Sequence, residues 1–147
     1  SPYDSWLTSP RGRLAAIVLL DQFPRNLFRR DQQAFCGDQF AQRLAWEGIS
    51  LRMDLELGWD ERVFFYLPLE HGESWEWQQR SLEKFSHLAS SVPAELSGRY
   101  NNFLRYAQAH ADIIQRFGRY PHRNEALGRP SSPAELEFLN GPGSSFW

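Results

Sequence analysis

Three short blocks hold most of the side chains that could do chemistry in this 147-residue chain. The first is Asp21-Gln-Phe-Pro-Arg25-Asn26, followed by Arg29 and Arg30. The second is Tyr66-Leu-Pro-Leu-Glu70-His71-Gly-Glu73. The third runs from His110 to Asn124 and crowds Arg116, Arg119, His122 and Arg123 into one helix exit. A carboxylate beside an imidazole, as at Glu70 and His71, supplies the parts of a general acid–base pair. His110 lies on an otherwise apolar stripe, where an imidazole needs a partner; Glu70 is the preferred carboxylate and Asp21 the second. Arginine forks match carboxylate and phosphate oxygens in pairs, so a loop rich in them suits an anion. Glu70, His71 and His110 are therefore the candidate catalytic groups. Asp21, Arg25, Asn26, Arg116, Arg119, His122 and Arg123 are the candidate ligand-binding groups.

Each block also has a plain structural reading. Asp21 sits near the predicted end of a helix, where the macrodipole disfavours a carboxylate, so an ion pair with Arg25 would serve the turn alone. Glu70 and His71 show no recognised metal-ligand spacing, and helix neighbours point about 100° apart, so they need not act on one atom. No metal and no cofactor is expected. His110 is equally suited to be a core histidine satisfied by a backbone acceptor.

The elements that must carry these blocks are helices. Gly12 to about Phe23 reads as the first, with Leu14, Ile17, Val18 and Asp21 on one stripe and Pro24 as its stop. Asp31 to about Glu47 reads as the second, with Gly48 beyond it. Asp60 suits the N-cap of a third helix through Leu67, and Pro68 kinks or ends it. Ser74 caps a fourth that carries Trp75, Gln78, Leu82, Phe85 and Ala89 on one side. Pro93 opens a long fifth helix to Phe117, whose stripe joins Phe103, Tyr106, His110, Ile113, Ile114 and Phe117. Gly118 and Pro121 end it. Ser132-Pro-Ala-Glu135 is a capping box opening a short last helix to about Leu139, and the tail from Gly141 to Trp147 is expected to be loose. Val63 to Leu69 has β propensity but neither alternation nor a partner run, so no strand is expected. The result is an all-α domain of antiparallel helical hairpins, in a bundle or a short superhelix, over residues 1–147.

Composition narrows the function. The net charge is −2, without the basic excess of a general nucleic-acid binder. Arginine outnumbers lysine, of which Lys84 is the sole example; a GC-rich genome explains this as readily as an anion site. Aromatic residues make up 15% of the chain, so six Trp and eleven Phe supply much of the core volume. Cys36 is the single cysteine, which excludes an internal disulfide and a zinc finger and fits a reducing cytoplasm. The apolar run Leu14 to Leu20 is too short to span a bilayer and reads as a buried helix, so no membrane role is expected. The chain opens almost directly on that helix, which implies a preceding segment.

The blocks Asp21-Gln-Phe-Pro-Arg-Asn26, Phe64-Phe-Tyr-Leu-Pro-Leu-Glu-His71 and Arg116-Phe-Gly-Arg-Tyr-Pro-His-Arg-Asn124 resemble the hallmark blocks of the bacterial DUF924 family. The resemblance runs from about Pro10 to Phe138. It implies an all-helical, tetratricopeptide-like fold and an additional aromatic N-terminal segment, and it brings no assigned activity. Where many members of the family carry Ser after the Glu-His pair, this chain has Gly72.

Two functions fit these readings. The three blocks could converge on one pocket that holds a small anionic molecule, with Glu70, His71 or His110 moving a proton. Alternatively the chain is a helical module for a protein or peptide partner, and its polar blocks are internal scaffolding. Convergence of the blocks separates the two.

Overall fold

The computed structural model describes residues 4–146, and among these the chain is helical with no strand. Six α-helices follow one another: α1 (Pro10–Leu27), α2 (Asp38–Ser50), α3 (Trp59–Glu70), α4 (Trp75–Ser91), α5 (Ser97–Phe117) and α6 (Pro133–Leu139). Helices α3, α4 and α5 are joined by short connections at 71–74 and 92–96 and pack on one another, so the chain doubles back at each. Helices α1 and α2 pack together and against α3.

Local chemistry accounts for the starts. Ser9 is extended and its Oγ accepts from Gly12 N at 3.1 Å, with Pro10 in the first turn of α1. Ser74 caps α4 in the same way. Ser132 and Glu135 form the expected reciprocal box at α6. Gly118 takes a left-handed φ of 74° and stops α5.

Five boundaries differ from the sequence reading, each for a local reason. Pro24 lies inside α1, which continues to Leu27. Proline has no N–H, so the Leu20 carbonyl loses its helical donor without the helix breaking. The helix expected over 31–47 divides into a 3₁₀ turn at Gln32–Phe35, capped by Asp31, and α2 from Asp38. Gly37 makes the joint and lies directly against the Leu20 carbonyl. Helix α3 starts one residue before Asp60: Gly58 stands at the cap position, and its N–H donates to Glu61 Oε1 at 2.8 Å. Pro68 sits within α3, which therefore reaches Glu70. Pro93 leads first into a 3₁₀ turn, Ala94–Leu96, before α5.

The main core gathers Ile17 of α1, Leu44 of α2, Phe65 and Leu69 of α3, and Phe85 and Leu88 of α4. Each such side chain contributes about 1.5–3 kcal/mol by leaving water. A smaller core joins Ile113 and Ile114 of α5 to Tyr120, with Phe117, Phe138 and Phe146 against them. The tail thus does not lie loose: Phe146 stacks on His110, ring centroids 3.8 Å apart. Trp147 lies outside the described residues. Among the described residues no helix is long and apolar enough to cross a membrane.

The joint at Gly37 generates a test. A Cβ at this position would overlap the Leu20 carbonyl oxygen, and backbone atoms there cannot swing aside. Gly37→Ala is expected to destabilise the fold by about 1–3 kcal/mol in urea melts. A variant with the parent's midpoint would show that the joint is slack.

Candidate functional site

Parts of all three polar blocks meet where α1, the end of α3 and α5 come together. Asp21 is 1% exposed, on the inner face of α1. Its Oδ1 receives His71 Nδ1 at 2.7 Å and lies 3.4 Å from Arg25 Nη1, while Oδ2 accepts from Gln22 Nε2 at 2.7 Å. Arg25 turns its fork to Asp38 at the start of α2, at 2.6 and 2.9 Å. Beyond His71, Arg123 donates to the His71 carbonyl at 3.1 Å. The Arg123 guanidinium lies between the Phe35 and Tyr120 rings, 4.6 Å from each centroid. Tyr120 donates its hydroxyl proton to the Glu70 carbonyl, and its own N–H goes to Glu73 Oε2.

Helix phase and chain direction explain this meeting. Asp21 follows Ile17 by four residues on the buried stripe of α1. Because α3 passes through Pro68, Glu70 closes the helix and His71 stands at its C-cap. His110 lies on the buried face of α5 between Ala107 and Ile113–Ile114 and is 5% exposed. Tyr106 of the same expected stripe is exposed, since the buried face shifts toward Ala107 and Ala111.

The charges divide into ionised and neutral groups. Burial works to raise the Asp21 carboxyl, but the His71 imidazole and the Arg25 guanidinium outweigh it and hold it at about 2. Burial first, and Arg25 second, depress His71 despite Asp21 beside it. His71 is thus a neutral imidazole that donates Nδ1–H to an ionised carboxylate, which leaves Nε2 as its open atom. Burial and the neighbouring Asp21 charge push Glu70 up to about 8, against the pull of Arg25. Burial takes His110 down to about 3, partly opposed by the Tyr106 carbonyl that accepts its Nδ1–H at 2.7 Å. His110 Nε2 faces Glu70 Oε2 at 3.7 Å, so a neutral acid looks at a neutral base.

Not every candidate joins this cluster. Asn26 is exposed and its side chain bonds back to the Gln22 carbonyl of its own helix. Arg116 is exposed and lies over the Phe117 and Phe138 rings. Arg119 forks onto Glu135 at 2.9 and 2.8 Å and ties α6 down. His122 is buried against the Tyr120 and Phe146 rings, held down at about 3 by burial and by Arg123, and borders a separate cavity. The sequence reading did not single out Asp38, Glu73, Tyr120 and Arg129 as site residues, although Glu73 and Tyr120 lie within its blocks. Arg129 pairs with Glu73 at 3.0 and 3.1 Å and donates to the Tyr120 carbonyl. Asp38 carried a signal, since it precedes the buried Ala41 and Ala45 by three and seven residues on one face of α2.

A cavity of about 520 Å³ opens on this cluster, with His71, Arg123, Asp38 and Glu73 in its wall and Arg43 and Trp77 beside them. Among the described residues no three His, Cys, Asp or Glu side chains are arranged to hold a metal ion.

A family model described as a bacterial protein of unknown function, DUF924, matches residues 1–143. The chain is similar to a solved structure of a protein of unknown function from Agrobacterium tumefaciens, at 38% identity and a TM-score of 0.83. That match covers 95% of this chain and 74% of the other. No curated protein matches.

Two outcomes follow from the buried groups. Glu70 rises from 4.5 to about 8 on folding, so between these values the unfolded chain has lost a proton that the folded chain keeps. The part of its burial cost that is linked to ionisation is therefore absent below pH 4.5 and grows as the pH climbs toward 8. Glu70→Gln is expected to gain stability relative to the parent over that interval in denaturant melts. A constant difference would mean that Glu70 titrates normally. His110→Ala is expected to cost about 1–3 kcal/mol and His110→Gln less, because the latter keeps a donor for the Tyr106 carbonyl. Parent-like melting of both, with His110 titrating as a free imidazole by NMR, would overturn its placement.

Proposed function

The chain belongs to the DUF924 family of bacterial proteins of unknown function, and we propose that it binds a small anionic molecule in the His71 cavity, where His71 accepts a proton. One observation carries this reading: the buried Asp21–His71 contact at 2.7 Å, beside an open cavity. The contact orients the ring and assigns its tautomer, leaving Nε2 as a base. Asp21 is a positioning residue in this scheme. Glu70 and His110 stand behind the imidazole as neutral groups and keep further charge away from it.

The charge pattern supports an anion. Three carboxylates, Asp21, Asp38 and Glu73, stand among four guanidiniums, Arg25, Arg43, Arg123 and Arg129. Asp38 is occupied by Arg25, and Glu73 by Arg129. Arg123 reaches both carboxylates only at 3.7 Å, and its buried Nε makes no hydrogen bond among the described residues. Arg43 stands exposed at the rim. These two retain donors for a carboxylate or phosphate. A second reading, a tetratricopeptide-like module for a protein or peptide partner, draws on a different observation. Leu14, Val18, Leu19 and Phe23 of α1 line an apolar groove with Trp6.

Melting curves against inorganic phosphate, citrate and a panel of phosphorylated and carboxylated metabolites test the first reading. A true ligand raises the melting temperature by mass action, by an amount equivalent to about 2.7 kcal/mol at a hundredfold excess over Kd. Arg43→Ala with Arg123→Met is expected to remove that gain. His71→Gln is expected to retain binding and lose any proton transfer. If no member of the panel moves the parent's melting temperature, the anion reading falls and the partner reading takes its place.

A further inference from the structure

On the other side of the cluster, Glu70 borders a second cavity that shares no lining residue with the His71 cavity. Its volume is about 510 Å³. Val63 and Phe85 form its buried depth, Leu67 and Phe103 its half-buried walls, and Phe64 and Tyr106 its exposed rim. Asp60 and Arg99 also stand at the rim, where they pair at 3.2 Å, and Tyr100 donates its hydroxyl proton to Asp60. The charge at the mouth is thus matched. The Glu70 side chain, 5% exposed, is not: among the described residues its carboxyl accepts or donates no hydrogen bond, and His110 Nε2 stands 3.7 Å away. A mostly buried carboxyl that makes no hydrogen bond within the protein leaves its oxygens to whatever enters through the cavity.

We propose that this cavity binds an arylalkylamine, with its ammonium against the Glu70 carboxylate and its aromatic ring among Phe64, Phe103 and Tyr106. The walls need an apolar body, and the volume is that of a small-molecule pocket. The depth holds one polar group, so the ligand carries one polar head. Aromatic faces beside the path attract a cation. An anionic head meets repulsion from Asp21 and gains no cationic partner at Glu70. A neutral hydroxyl restores the hydrogen bond but leaves out the ionic part. The proton balance is simple. Glu70 enters as the neutral acid and the amine as ammonium, the complex holds carboxylate and ammonium, and one proton leaves to solvent. The groups that face Glu70 are Asp21 and Arg25 from α1, His110 from α5 and Tyr120 from the following loop, with Asp60 and Arg99 at the mouth. Burial and Asp21 hold the proton on Glu70 in the empty site at neutral pH, which is why binding must release it.

Calorimetric titration of the full chain at pH 7 with phenethylamine, 2-phenylethanol and 3-phenylpropionate tests the assignment. The amine is expected to bind one per chain, the alcohol about tenfold more weakly, and the acid not at all, which is the worth of one hydrogen bond to a charged group. Buffers of different ionisation enthalpy are expected to show close to one proton released per amine. Glu70→Gln is expected to erase the preference for amine over alcohol and the proton release. Tyr106→Ala, at a position 59% exposed and so safe for the fold, is expected to weaken both ligands. Equal affinity for amine and alcohol in the parent, an amine preference that survives Glu70→Gln, the absence of proton release, or no binding of any of the three overturns the proposal.

Discussion

The charge of Asp21 is the constraint on which the rest of this structure turns. A carboxylate that is 1% exposed inside a helical bundle has to be matched or neutralised. It is matched by His71 and Arg25, which come from two helices. Each match creates the next requirement. Arg25 needs a second carboxylate and takes Asp38, which pins the start of α2. Glu73, just past α3, takes Arg129 and the Tyr120 N–H, which fixes the loop after α5. One buried charge thus ties α1, α2, α3 and the last loop into one arrangement, with an ion pair or hydrogen bond at each step.

The neutral members of the cluster are as informative as the ionised ones. Four titratable groups, Asp21, Glu70, His71 and His110, lie close together, and they cannot all carry charge in a buried volume. Asp21 keeps its charge because two donors and a guanidinium face it. Glu70 loses its charge because it has burial and the same Asp21 nearby, and because the imidazole within ion-pair distance of it, His110, is neutral. The backbone sets the histidine tautomer at His110, where the Tyr106 carbonyl demands the Nδ1 proton. At His71 the carboxylate sets it. Environment, rather than residue type, assigns the roles.

The helical class, the caps at Ser74 and Ser132, the stop at Gly118 and the burial of His110 were all legible in the sequence, because each rests on contacts within one turn or on periodicity. The prolines misled for a related reason. A rule about Pro24 and Pro68 weighs one lost hydrogen bond, and here tertiary packing outweighs it. In the site, Asp21, Arg25, Glu70, His71, His110 and Arg123 meet as a group. Asn26, Arg116 and Arg119 share their sequence blocks and stand elsewhere. A block tells which residues are near in chain and not which way they point. Arg119 turns to Glu135, a partner sixteen residues on, that local pattern did not reveal. The docking of Phe146 on His110 was illegible for the same reason.

Direction also decides what Glu70 and His71 can do. Adjacent helical residues diverge by about 100°. Glu70 accordingly borders the cavity between α3 and α5, and His71 the cavity beside α2 and the Arg123 loop. They do not form an acid–base pair on one atom, as side-by-side residues in a sequence suggest. They are nonetheless linked through Asp21, which bonds His71 and whose charge raises Glu70. A proton placed on His71 would offset that charge and ease ionisation of Glu70. An ionised Glu70 would in turn strengthen the hold of the cluster on a proton at His71. Linkage of this kind is reciprocal by thermodynamic necessity. Two cavities without a common wall residue therefore share one buried charge, and a change in the protonation of Glu70 or of His71 is felt by the other.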